Sequence, residues 1–261
     1  MFSELKVRIQ RDFFENKKYT YDEYIDIGIE HLEQMAKAFE KDMFACMNVQ
    51  TTGQLIVEGD WFPELRIDVF LSHTWMNDGL QFAFIGWLHS TFGLRCMIDS
   101  YIWGNFGKLT DEYNGLYSNR RKKANGGEVF DYSCSNRVLN HIVSMLHIAA
   151  VKMMDKAEAI VLLNTDEDWD IYDNRVLSRR YLPWIYTEAA IINSMRVRPL
   201  AEYRRQASDR EAFIKENRIS KLSEDVLENE LAQWEQEYDN GDKDIHPLDI
   251  LYKLLNTIEY V

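Results

Sequence analysis

Glu188 sits where its neighbours make a charge expensive. It lies in "YLPWIYTEAAIINSM", residues 181–195. Trp184, Ile185, Ala189, Ala190, Ile191, Ile192 and Met195 make this stretch apolar almost all round, which predicts a largely buried helix. Pro183 suits its first turn, where a missing N–H costs nothing. Glu188 follows Trp184 by four residues and so shares its face. A carboxylate there must be paired, protonated or put to use, because an isolated buried charge is very costly. A structural ion pair and a catalytic role both meet that demand. Arg179 and Arg180 just before the helix could hold a dinucleotide pyrophosphate, since guanidinium matches phosphate geometry. Pairing with Asp166, Glu167 or Asp168 would occupy them equally well.

Other reactive side chains end apolar runs. Ser72, His73 and Thr74 close "LRIDVFLSHT", Asp99 and Ser100 close "LRCMIDS", and Asn164 and Thr165 close "EAIVLLNT". Several familiar chemistries lack their motifs. "GNFGK" at residues 104–108 is no phosphate loop, because Ile102 and Leu109 stand where glycine and Ser/Thr are needed. The six histidines show no HExxH spacing, and His141 and His147 are not i,i+4, so no metal centre is expected. There is no GxSxG elbow. The basic run Arg120–Lys123 could meet a phosphate but reads as a solvated loop.

The elements that must carry these residues follow from periodicity. Thr20 and Glu23 have capping-box spacing. Ile25, Ile29, Leu32, Ala36, Phe39 and Met43 then recur at helical steps. "LRIDVFLSHT" is continuous enough for a strand buried on both faces. "NDGLQFAFIGWLHSTFG" reads as a helix stopped by Gly93, and "LRCMIDS" as a second strand. From Gly104 to about Asp131 the pattern dissolves into an exposed loop. A long helix over "SNRVLNHIVSMLHIAAVKMMDKA", capped by Ser135 or Asn136, leads to a third strand, "EAIVLLNT". Alternating strands and helices imply an α/β domain with a parallel sheet, whose ligands bind beyond the carboxyl ends of the strands. Near the end, Ser223 fits an N-cap with Leu222 and Leu227 as a staple. "HPLDILYKLL" adds a last apolar helix.

Composition narrows the class. At 46% apolar residues the 261-residue chain can fill a core. The net charge of −13 argues against a nucleic-acid or anionic-membrane partner, which would need a positive surface. No apolar run approaches the roughly 20 residues that cross a bilayer. The N-terminus mixes charges throughout, unlike a signal peptide. Cys46, Cys96 and Cys134, scattered and odd in number, fit reduced thiols. A cytoplasmic protein is expected.

At this point the residues carry a resemblance. "DVFLSHTWMNDG…FAFIGWL…FGLRCMIDSYIWG", followed by "KAEAIVLLNT" and the WxxxE of "LPWIYTEAAI", resembles the Toll/interleukin-1 receptor (TIR) domain. It is most similar to bacterial cytosolic members, including those of anti-phage systems such as Thoeris. The likeness spans about residues 65–199. It implies a flavodoxin-like parallel sheet over residues 61–200, with a long inserted loop at about 104–131. A helical N-terminal extension (1–60) and a C-terminal helical segment (201–261) would pack around it.

The resemblance also implies an activity, NAD cleavage with nicotinamide release, in which NAD is the substrate and no cofactor or metal is needed. Glu188 takes the position of the family's essential glutamate, and Trp184 would wall the pocket. Ser72, His73 and Thr74 fall in the turn after the first strand. Asp99, Ser100 and Trp103 fall in a loop that borders substrate and often mediates assembly. Self-assembly through TIR domains and a separate effector responding to the product are the partners implied. Many TIR domains only assemble, so a non-enzymatic interaction module is the other reading.

Overall fold

The three apolar runs form strands, and each lies beside another in a single sheet. In the computed structural model, which describes residues 2–50, 66–73, 79–98, 106–122, 128–163, 190–204, 214–216, 222–255 and 258–260, β1 is Ser3–Val7, β2 Val69–His73 and β3 Cys96–Ile98. The hairpin strands β4 (Arg120–Lys122) and β5 (Glu128–Phe130) follow. They precede β6 (Ala159–Leu163), β7 (Ile214–Glu216), β8 (Leu222–Val226) and β9 (Ile258–Tyr260). The helices are α1 (Tyr21–Gln50), α2 (Leu80–Phe92), α3 (Phe106–Tyr117) and α4 (Tyr132–Lys156), then α5 (Leu200–Arg204), α6 (Glu228–Asn240) and α7 (Pro247–Leu254). Residues 190–194 are helical as well.

The main sheet runs β3-β2-β6-β1-β8 with every pairing parallel. This is an α/β protein with a five-stranded parallel sheet. The β3-β2-β6 order matches the 2-1-3 beginning of the flavodoxin-like arrangement. The fourth place goes to β1, from the N-terminal end of the chain, and the fifth to β8.

The sheet therefore reaches outside the expected limits of 61–200 at both ends. The N-terminal segment, expected to be helical, begins with a strand whose Leu5 sits between Val161 and Glu224. Leu222–Val226 is a strand rather than the cap and staple of a helix. The helix that follows starts at Glu228, where the Glu230 carboxylate accepts from the Leu227 N–H at 2.8 Å. The pattern that suggested a cap was local, and ladder bonds to β1 overrode it.

Other expectations hold. Glu23 accepts from both the backbone N–H and the hydroxyl of Thr20 at 2.8 Å, completing the capping box ahead of α1. Gly93 ends α2 in the left-handed region (φ 68°), its N–H donating to His89 O. For α4 the cap lies earlier than Ser135: Asp131 Oδ1 accepts from the N–H groups of Ser133 and Cys134 at 3.1 and 3.2 Å.

By contacts the chain divides into one unit of Met1–Ile98 with Met153–Val261 and a second of Asp99–Lys152. In the first, α1 and α2 cross so closely that a Cβ on Gly28 would lie 2.0 Å from Phe82 O, and one on Gly86 1.9 Å from Tyr24 O. Only glycine permits that approach. Trp87 on α2 meets Phe13, Phe92 and Trp234 edge-on, and Phe92 stacks on Trp234 at 3.9 Å. Lys17 caps this aromatic cluster, its ammonium 4.5 Å from the Phe13 ring and paired with Glu235.

In the second unit the expected loop at 104–131 contains α3 and the antiparallel β4–β5 hairpin. Among the described residues, no helix is long and apolar enough to cross a membrane.

Candidate functional site

The two ends of the sheet differ in chemistry. At the carboxyl end, β2 finishes in Ser72 and His73, in register with Leu162 and Leu163 of β6. Ser72 is buried, at 1% exposure. From β2 the chain passes through α2 to β3 on one side. From β6 it proceeds to β8 on the other, beyond β1. Adjacent strands whose connections leave in opposite directions open a crevice, and open parallel sheets bind ligands at such switch points. Ser72 and His73 occupy that position.

The other expected site residues, Thr74, Asp99, Ser100, Trp103, Trp184 and Glu188, lie outside the described residues. So do Arg179 and Arg180.

The amino end carries charged groups that sequence reasoning missed. Asp68 and Glu158 directly precede Val69 and Ala159, which pair in register, so two carboxylates begin adjacent buried strands. Both are buried (7% and 2% exposed) and both have a guanidinium partner. Asp68 accepts from Arg95 Nε at 2.9 Å and Nη2 at 2.6 Å, and from the Arg95 backbone N–H at 2.9 Å. Burial alone would raise the Asp68 pKa, but these hydrogen bonds outweigh it and hold the carboxyl below its ordinary value.

Arg204 of α5 donates to Glu158 through both terminal nitrogens, at 2.6 and 2.7 Å, and also pairs with Asp249 of α7. Burial would lower the Arg204 pKa, yet the two carboxylates keep it above its usual value. Glu158 is the reverse case: burial raises its pKa despite Arg204. His246 caps α7, its Nδ1 accepting from the Leu248 N–H at 3.3 Å. Burial and then the Arg204 charge push it down to about 3, so it is neutral.

Ligand atoms of Glu158, His246 and Asp249 lie within 4.8 Å of one another, a spacing that could admit a cation. Arg204 already neutralises both carboxylates, and a metal would have to displace it. The cluster is better described as a satisfied network tying β6, α5 and α7 together, with Ser3 Oγ and Tyr252 OH 3.0 Å apart. The sequence signal was available: a lone carboxylate immediately ahead of each apolar run, in "RIDVF" and "AEAIV".

A pair of histidines joins the helices to the edge strand. Three residues beyond Gly28 and Gly86, the rings of His31 and His89 stack with centroids 4.0 Å apart. His31 Nε2 accepts from the Cys96 N–H at 3.0 Å, and His89 Nδ1 lies 3.1 Å from Leu94 O. Burial, then the neighbouring His89, lowers the His31 pKa to about 4. Neutral His31 is what the contact requires, since only an unprotonated nitrogen can accept.

Comparison with protein-family models, curated proteins and solved structures finds no match to this chain.

Proposed function

We propose that the chain is a TIR-like enzyme that breaks the bond between nicotinamide and ribose in NAD, with Glu188 as its catalytic carboxylate. The observation that carries the reading is the coincidence of motif and topology. The segments that resemble the first three TIR strands fold as β2, β3 and β6, side by side and parallel. Ser72 and His73 from the first of them stand at the switch point.

In the proposed reaction nicotinamide leaves with the bonding electron pair and the ribose becomes oxocarbenium-like, as in glycoside cleavage. Water then adds to the sugar and loses a proton, giving ADP-ribose; an internal or second acceptor in place of water gives a cyclic or conjugated product. A fixed carboxylate beside the sugar steadies the developing positive charge best in a water-poor pocket. Trp184 would wall that pocket. Ser72, His73 and Thr74 would line its approach. The proposed setting is the bacterial cytoplasm, in anti-phage defence of the Thoeris kind, where the product would act on a separate effector.

Glu188→Gln tests this with little change in shape. Nicotinamide release by purified protein, alone and with phage-infected lysate, is expected to fall by at least about 100-fold in the variant. A wild type that never releases nicotinamide, or a variant that releases it equally fast, overturns the enzyme reading and leaves the interaction module.

A further inference from the structure

β1 is an interior strand of the parallel sheet, between β6 and β8, yet it carries a lysine. Interior parallel strands are normally apolar on both faces, because both are covered. Leu5, Val7 and Ile9, on one face, follow that rule at 2% exposure each. The opposite face does not. One row of register partners crosses the sheet near its carboxyl end: Ser72 of β2, Leu162 of β6, Lys6 of β1 and Asp225 of β8. Partners in a parallel ladder share a face, and exposure rises along this row. Ser72 is 1% and Leu162 6% exposed, Lys6 is half-buried, and Asp225 is exposed. The cover over this face therefore ends at β1, and Lys6 stands at its margin. Arg8 continues β1 on the same side, its N–H donating to Val226 O at 3.4 Å, and its side chain is exposed. Among the described residues, Lys6 has no ion-pair partner.

A half-buried ammonium without a carboxylate calls for an anion. The net charge of −13 disfavours anions over most of the surface, so a local cation decides where one binds. Lys6 lies two strands from Ser72, roughly 10 Å by the usual spacing, at the end of the sheet where open parallel folds take their ligands. We propose that Lys6, with Arg8 beyond it, is an anion subsite that holds the pyrophosphate of a dinucleotide substrate, while the sugar to be cleaved lies toward Ser72 and the switch point. Both cations come from outside residues 65–199, which carry the TIR resemblance. The dinucleotide as ligand rests on the NAD reading; the anion subsite does not.

Two measurements on the full chain test it. In a phosphorus NMR titration, inorganic pyrophosphate is expected to bind wild type, and more weakly as salt rises from about 50 to 300 mM. Lys6→Met keeps the length of the side chain without its charge. It is expected to weaken pyrophosphate binding by about 10-fold or more, with an unchanged circular dichroism spectrum. Lys6→Arg is expected to keep most of the affinity, since a guanidinium also pairs with phosphate. Asp225→Asn removes the neighbouring negative charge and is expected to tighten binding. A wild type that does not bind pyrophosphate, or a Lys6→Met variant that binds it as tightly as wild type, overturns the proposal. Nicotinamide release from NAD separates the subsite from the reaction. If pyrophosphate binding depends on Lys6 while no preparation releases nicotinamide, the subsite stands and the NAD reading falls. If wild type releases nicotinamide with a KM that Lys6→Met leaves unchanged, the NAD reading stands and the subsite falls.

Discussion

Acid should loosen the joint between α1, α2 and β3 over a defined pH window, and His31 sets it. His31 is 5% exposed and accepts the Cys96 N–H, while its stacked neighbour His89 and more distant Asp68 supply the nearby charge effects. Its pKa falls from an ordinary 6.5 to about 4 in the fold. A depressed histidine contributes stability in full above 6.5. Below that the unfolded chain takes up a proton that the folded chain refuses, until about pH 4. At about 1.4 kcal/mol per pH unit, the loss across this window is roughly 3 kcal/mol. His31→Gln keeps a side-chain acceptor near Cys96 but cannot titrate. Urea denaturation of both proteins, followed by tryptophan fluorescence at pH 7, 6, 5 and 4.5, isolates the effect, because His246 and the carboxylates are common to both. Wild type should lose its advantage over the variant steadily below pH 6.5. Parallel stability curves would refute the reasoning, as would an NMR titration placing His31 near 6.5.

Three further outcomes follow from the packing. Arg204→Met leaves Glu158 and Asp249 buried without their cation and should cost about 3–5 kcal/mol at pH 7 by denaturant titration. The deficit should shrink toward pH 5, because a carboxyl whose folded pKa is raised recovers stability as it takes a proton. Gly86→Ala puts a methyl 1.9 Å from Tyr24 O and must push α1 and α2 apart, costing about 1–3 kcal/mol or more. Gly115→Ala on α3 meets nothing within 4 Å and should instead stabilise by roughly 0.5–1 kcal/mol; thermal melts of the two variants should move in opposite directions.

The sequence alone determined what local chemistry can specify. A Thr-x-x-Glu box starts α1, a glycine able to adopt positive φ stops α2, and three apolar runs become β2, β3 and β6, because each of these signals acts within a few residues. It also singled out Ser72 and His73 as polar ends of a buried strand. The tertiary structure decided the rest. β1 and β8 are five residues each and carry charges, Glu4 and Lys6 in one, Glu224 and Asp225 in the other. Leu5, Val7 and Ile9 alternate with Lys6 and Arg8, a strand signal, but so short a segment does not say where in a sheet it pairs. Their pairing comes from backbone hydrogen bonds between residues more than 200 positions apart in sequence, such as Leu5 and Glu224. The same holds for the charges at the amino end. Arg204 meets Glu158 and Asp249 across gaps of 46 and 45 residues, so their pairing exists only once β6, α5 and α7 are packed. Spacing along a chain fixes which side chains share a face of one element; which faces meet depends on the burial and pairing of all the elements together.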